Sequence, residues 1–187
     1  MSSDIFSKEI DASKFDIIYA GAQKNLGPAG ATLYMFKDEV LGKTGRDIPS
    51  MLDLQVHAGK DSMFNTPPAF PVFVAMLNLQ WMKEFGGVPA IQKRNEAKSS
   101  LLYGEIDRNP LFNGVTAVED RSHMNATFVL TDEAIADRWN NLWNEAGISG
   151  IKGHRSVGGY RASMYNALPL ESVQVLVDCM KELERGA

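Results

Sequence analysis

The sequence predicts an α/β chain, and three observations carry that prediction. Short apolar runs at Phe15–Ala20, Ala31–Phe36 and Asn125–Leu130 have the length of strands. Longer stretches at 70–85 and 170–185 place apolar residues at the three-to-four spacing of one helix face. The composition, 44% hydrophobic and 22% charged over 187 residues, is that of an ordinary globular chain with enough apolar surface to offset ordering entropy.

Taken in order, Phe15–Ala20 (FDIIYA) reads as a buried strand ending at Gly21. Ala31–Phe36 (ATLYMF) is a second strand, rich in aromatic and branched residues. Between them, Gly21 to Gly30 holds three glycines and a proline in ten residues, which makes it a loop. Residues 37–68 read as short helices and irregular segments. Phe70–Phe85 is a helix with Val74, Leu77, Trp81 and Phe85 on one face, stopped by Gly86 and Gly87. Pro89 opens the next helix, where a missing N–H is tolerated, and that helix runs to about Arg108 with a charged, solvated face. Asn125–Leu130 follows as a strand. Asp132–Ala146 is a helix with Asp132 near its cap and Gly147 just after it. Ile148–Ile151 and Arg161–Tyr165 read as strands around a glycine-rich loop. Leu170–Arg185 closes the chain as a helix striped by Val173, Leu176, Val177, Met180 and Leu183. The Gly86-Gly87-Val88-Pro89 break divides the chain into residues 1–88 and 89–187.

Several function classes are disfavoured at once. With 19 Lys+Arg against 23 Asp+Glu, the net charge of −4 argues against a general nucleic-acid binder. A single cysteine, Cys179, excludes an intramolecular disulfide framework and a multi-cysteine metal site, and suits a reducing compartment. The N-terminus lacks the basic and apolar regions of a secretory signal. The longest uncharged stretch, Ser62–Met82, has 21 residues but carries Asn65, Thr66, Pro67, Pro68, Pro71, Asn78 and Gln80, poor company for lipid. A soluble cytoplasmic chain is expected.

Three segments could carry chemistry. Lys24 is the only charged residue in the 20 from Ile17 to Phe36, so partial desolvation is expected, which lowers a lysine pKa. Such a lysine can act as an amine nucleophile and form a Schiff base with a carbonyl. The competing explanation is a solvated lysine on a surface loop. In the second segment, the 25 residues from Ala146 to Leu170 contain no acid, while Lys152, His154, Arg155 and Arg161 gather around Gly153, Gly158 and Gly159. Arginine forks grip phosphate or carboxylate, and glycines let backbone N–H groups approach an anion. A small-anion site and a basic loop paired with acids elsewhere stand as equal explanations. In the third, Asn65-Thr66-Pro67-Pro68, an amide and a hydroxyl precede two stiff prolines and suit phosphate oxygens, although most such sequences are plain turns. His57 and His123 stand alone at no metal-ligand spacing, so no metal is expected. Cys179 reads as a buried, inert thiol.

Together these segments resemble one family. Met1-Ser2-Ser3-Asp4-Ile5, the stretch from Tyr19 to Gly30 (YAGAQKNLGPAG), Phe64-Asn65-Thr66-Pro67-Pro68, and the stretch from Lys152 to Ala167 (KGHRSVGGYRASMYNA) resemble the phosphoserine aminotransferases. These are pyridoxal-phosphate enzymes of the fold-type-I, class-V group. The resemblance implies the remainder of a large cofactor domain over 1–88 and a small α+β C-terminal domain over 89–187. It implies pyridoxal phosphate as cofactor, with Lys24 as the covalent and proton-shuttling residue and Gln23 as a phosphate contact. Asn65 and Thr66 match contacts to the cofactor phosphate of a partner subunit, which implies a homodimer. His154 and Arg155 match the residues that hold the substrate phosphate, and Arg161 the one that holds its α-carboxylate. The implied reaction transfers an amino group between glutamate and 3-phosphohydroxypyruvate in serine biosynthesis.

The resemblance covers only the later part of the longer family chain. The family's glycine-rich phosphate loop, ring-stacking aromatic residue, N-terminal substrate arginine and ring-nitrogen aspartate have no counterpart in these 187 residues. In the family that aspartate directly precedes the segment matching Met1. Two alternatives therefore stand beside independent activity: a truncated, inactive fragment, and a non-catalytic partner that dimerises with a full-length subunit. A third, another class-V transaminase or lyase with altered substrate, is disfavoured by the intact His154-Arg155 and Arg161 pattern.

Overall fold

The structure is a computed structural model that describes residues 1–186. The chain is α/β and separates into two compact units, Met1–Val88 and Pro89–Ala187.

In the first unit, β1 (Ile17–Gly21) and β2 (Thr32–Phe36) pair antiparallel, Ile17 opposite Phe36 and Gly21 opposite Thr32. Strand period puts Ile18 and Ala20 inside and leaves Ile17 and Tyr19 outside, where Tyr19 stacks on Tyr34 at 6.0 Å. β1 is thus half-buried rather than wholly buried as its apolar run suggests. Its inner face meets Ile5, Ala22 and Leu26 in a small core. Residues 37–68 hold three-residue 3-10 turns and one short helix, α1 (Leu54–Ala58). Helix α2 (Ala69–Glu84) follows the predicted span closely, but Met82 alone is buried on it. Leu77 and Phe85, expected on a core face, are 44% and 42% exposed. The reason is that α2 is apolar on every side instead of along one stripe, so its own unit covers only a fraction of it.

The second unit is built on α3 (Gly87–Arg108), which contains Pro89 in its first turn. A three-stranded antiparallel sheet, ordered β3 (Phe112–Gly114), β4 (Asn125–Leu130) and β5 (Tyr160–Ser163), lies against it. β3 is absent from the sequence expectation because it is three residues long with one buried side chain, Phe112. The expected 132–146 helix is a 3-10 turn, Glu133–Ile135, leading into α4 (Ala136–Glu145), with the Asp132 carboxylate accepting Ala134 N–H at 2.9 Å. Ile148–Ile151 is not a strand. Gly147 and Gly150 adopt φ of 76° and 72°, which bends the chain out of a ladder and leaves one bridge, Lys152 opposite Tyr160. α5 (Leu170–Arg185) has the predicted bounds and buries the predicted stripe.

One face of the sheet is covered by α3, α4 and α5. Trp139 of α4 stands edge-on to Phe112, Phe128 and Tyr160 at 5.1, 6.5 and 6.0 Å. Its indole N–H is buried without a hydrogen-bond partner, so its contribution is packing alone. Lys98 of α3 is fully buried in the same core and donates to Met164 O at 2.9 Å and Tyr165 O at 2.7 Å. Burial disfavours its ammonium, and the Arg94 charge acts in the same direction, so its pKa falls to about 8. No described helix is long and apolar enough to cross a membrane.

Two outcomes follow from this core. Trp139→Ala should destabilise the chain by about 3–5 kcal/mol, read as a lower denaturant midpoint. Lys98 makes stability pH-dependent in a definite direction. Below its folded value of about 8 both states carry the proton and the burial cost is present in full. From there to roughly the unfolded value near 10.4, the unfolded chain binds more protons, so stability rises with pH. Unfolding of the native chain and of Lys98→Met, measured side by side from about pH 7 to pH 10, should show the native chain gaining on the variant. A constant or falling difference contradicts this.

Candidate functional site

In the first unit the candidate chemistry lies on the connection between β1 and β2. Ala22 N–H donates to Ala31 O at 2.9 Å and closes its base. Leu26 and Gly27 N–H both donate back to Ala22 O, at 3.0 and 2.8 Å, which winds residues 22–27 into a tight turn. The buried Asn25 amide donates to Ser3 O at 2.8 Å and Ile5 O at 3.1 Å. Asn78 of α2 donates to Asn25 O at 2.8 Å. On this fixed backbone Gln23 and Lys24 are exposed. The desolvation expected for Lys24 is therefore not supplied by the described residues, because the flanking ribbon buries only Ile18 and Ala20.

Asn65 and Thr66 are exposed in the turn before α2, with the Asn65 amide donating to Thr66 O at 3.1 Å. Pro67 and Pro68 lead directly into the helix. Phe64 packs edge-on to the His57 ring at 5.5 Å, and His57 Nε2 lies 3.0 Å from Met51 O. His57 is thus part of the local scaffold. α2 supports both groups of polar residues: it starts beside Thr66 and reaches the lysine loop through Asn78.

In the second unit the candidate chemistry lies on the hairpin 151–161. Arg161 N–H donates to Ile151 O at 2.7 Å and Gly153 N–H to Gly159 O at 2.8 Å. Val157 and Gly158 N–H both donate to His154 O, at 2.9 and 2.8 Å, and turn the chain back. Glycine is required at two places. A Cβ on Gly153 would collide with the Gly158 carbonyl, and one on Gly159, at φ 64°, would lie 2.9 Å from Phe128 O. His154 Nδ1 accepts the Ser156 N–H at 3.3 Å and lies 2.7 Å from Ser156 Oγ, which puts the neutral ring's N–H on Nε2.

Lys152, His154, Arg155 and Arg161 are all exposed. The salt bridges among the described residues lie elsewhere, on Lys14, Lys37, Arg108, Arg121 and Arg185. Among the described residues no salt bridge neutralises this loop in the way the rival explanation from sequence requires. Three cations within ten residues leave an unbalanced positive field on a rigid hairpin, suited to charge-assisted hydrogen bonds with phosphate and carboxylate.

The remaining singled-out residues are structural. His123 Nδ1 lies 2.6 Å from Ser99 Oγ, which itself donates to Glu96 O at 3.1 Å. Cys179 is buried with its thiol pKa pushed up by desolvation, so it is a poor nucleophile. Sequence reasoning assigned no role to Asn25 or Asn78. An amide directly after the lysine, in a loop otherwise of small and apolar residues, was the available signal for Asn25.

The class-V aminotransferase family model matches residues 1–176. A phosphoserine aminotransferase from Flavobacterium psychrophilum is 65% identical over 184 residues, which is 98% of this chain and 52% of that protein. The solved phosphoserine aminotransferase of Bacillus circulans subsp. alkalophilus superposes with a TM-score of 0.95 at 40% identity, over 100% of this chain and 52% of that one. The pyridoxal-phosphate-bound phosphoserine aminotransferase of Trichomonas vaginalis does so with a TM-score of 0.91 at 35% identity, over 97% and 52%. The chain spans about half the length of the curated relatives it matches. With the family model extending over both of its units, the chain belongs to the class-V aminotransferases.

Proposed function

We propose that this chain supplies the lysine-bearing and anion-binding half of a phosphoserine aminotransferase site. The reaction moves an amino group between glutamate and 3-phosphohydroxypyruvate, giving 2-oxoglutarate and phosphoserine, in cytoplasmic serine biosynthesis. The observation that best supports it is the 152–161 hairpin, where Lys152, Arg155 and Arg161 gather without an acidic partner among the described residues. On this reading residues 1–88 end the cofactor-binding large domain and 89–187 form the small C-terminal domain.

The donor set suits pyridoxal phosphate. Lys24 offers an exposed primary amine on a backbone held by Asn25, and an aldehyde needs such an amine as its covalent anchor. Gln23, Asn65 and Thr66 are exposed neutral groups able to donate to phosphate oxygens, the last two toward the partner subunit of a homodimer. When bound, the cofactor supplies the electron sink for charge developing at the substrate Cα. Lys24 Nζ would hold the cofactor's aldehyde carbon and, once freed, would serve as the base that moves the substrate Cα proton. His154 and Arg155 hold the substrate phosphate. Arg161 holds the α-carboxylate through its paired N–H donors. Arg161 leaves β5 on the side opposite the buried Tyr160 and Ala162, so one rigid element presents both anion-binding groups.

A second reading has its own observation. α2 leaves Phe70 69% and Phe73 54% exposed, and Leu79 beyond them is exposed too. Apolar surface of that extent is normally covered in an assembly. On this reading the chain is inactive alone and acts only with a complementary polypeptide or a longer subunit.

Reduction with borohydride in the presence of pyridoxal phosphate should leave the cofactor on Lys24, seen by peptide mapping and absent in Lys24→Ala. Labelling of the chain alone supports independent cofactor binding. Labelling only after mixing with a full-length class-V subunit supports the second reading, and no label in either case contradicts both. In the active state so identified, Arg155→Ala should weaken phosphoserine by about tenfold or more, matching the roughly 1.5–3 kcal/mol of a charged hydrogen bond, and glutamate much less. Equal losses would remove the phosphate assignment.

A further inference from the structure

We propose that Lys98 is a positioning residue for Arg161. With Asn95 and Arg94 it clamps the chain just past β5 and so fixes where the Arg161 guanidinium stands. The functional half of this inference rests on the reading of Arg161 as the carboxylate-binding residue.

Three side chains from one side of α3 grip four consecutive residues. Lys98 Nζ donates to Met164 O at 2.9 Å and Tyr165 O at 2.7 Å. The Asn95 amide donates to Asn166 Oδ1 at 2.9 Å, and Arg94 Nη2 donates to Ala167 O at 3.1 Å. Opposite them, Met164 N–H donates to Met124 O at 2.7 Å. The exit of β5 is thus held by hydrogen bonds from both sides, three residues beyond Arg161.

Packing alone does not call for a lysine here. Lys98 is 0% exposed beside Leu102 and Met164, in a core where an apolar side chain fills the same space without a desolvation cost. What the ammonium adds is direction. Hydrogen bonds weaken steeply with misalignment, whereas apolar contacts slide. Sliding matters at β5 because side chains alternate faces: a slip of one residue would carry Arg161 toward the core and Ala162 away from it. The amine also keeps two N–H donors when it loses its proton, one for each carbonyl, so the clamp survives neutralisation.

The test uses the whole chain and two readouts. Amide exchange followed by NMR should show Arg161 and Met164 exchanging at least tenfold faster in Lys98→Met, with Met180 of α5 changing less than threefold. Titration with phosphoserine and with phosphoethanolamine, which keeps the phosphate and amine but lacks the carboxylate, should show Lys98→Met weakening the first at least fivefold and the second less than twofold. Native-rate exchange at Arg161 and Met164, or equal weakening of both ligands, overturns the proposal. If Lys98→Met does not fold, Arg94→Gln decides by the same readouts, with about threefold effects expected and native behaviour contradicting the clamp. Arg161→Gln separates the two levels. If it binds phosphoserine like the native chain, or if the native chain binds neither ligand in the active state that the borohydride test identifies, the carboxylate reading fails while the exchange rates still decide the clamp.

Discussion

The alternation of side chains along β5 is the constraint on which the second unit depends. Tyr160 and Ala162 must point into the aromatic core with Phe128 and Trp139, and this obliges Arg161 and Ser163 to the other side. The same core that stabilises the sheet therefore sets the direction of its cation. The hairpin that precedes β5 is closed by backbone bonds and by glycines that admit no Cβ, which brings His154 and Arg155 onto the same rigid element. Core packing, strand register and the outward placement of the cations are here one structural fact seen at three scales.

The two units solve different problems. The second is a complete core, with a sheet face covered by three helices and even a lysine absorbed by directed hydrogen bonds. The first buries little. Its small cluster of Ile5, Ala20, Ala22 and Leu26 holds one loop in shape, and Asn25 ties that loop down from within. The result is an amine on a firm backbone beside much exposed apolar surface, which suits a site finished by other polypeptide. Net acidity conceals the cations of the second unit: the chain carries −4 overall, while its 146–170 segment has no acid at all.

Much of this was legible in the sequence, for definable reasons. α5 and β4 declare themselves because each buries one face, and a one-sided periodic pattern is readable. The cationic hairpin was visible as a charge asymmetry, but its lack of acid partners depends on tertiary placement. β3 was invisible because three residues carry no period. The 148–151 segment misled because Gly147 and Gly150 set its backbone against its apolar side chains. α2 misled in the opposite sense: apolar residues on all sides predict burial, and the described residues do not supply it. Lys24 was singled out by isolation in sequence, which says nothing of desolvation when the flanking ribbon is open. Lys98 was overlooked because a charged residue on a charged helix reads as solvated, and only contacts 66 and 67 residues away reveal otherwise.

The central claim is that the hairpin is a preformed anion site and not a neutral surface turn. Titrating the chain with phosphoserine while recording backbone amide shifts at two ionic strengths tests it most directly. The account predicts saturable shifts concentrated on residues 153–161, with affinity falling as salt rises because the contacts are charge-assisted. Shifts spread evenly over the surface, or none on the hairpin at any concentration reached, would contradict it.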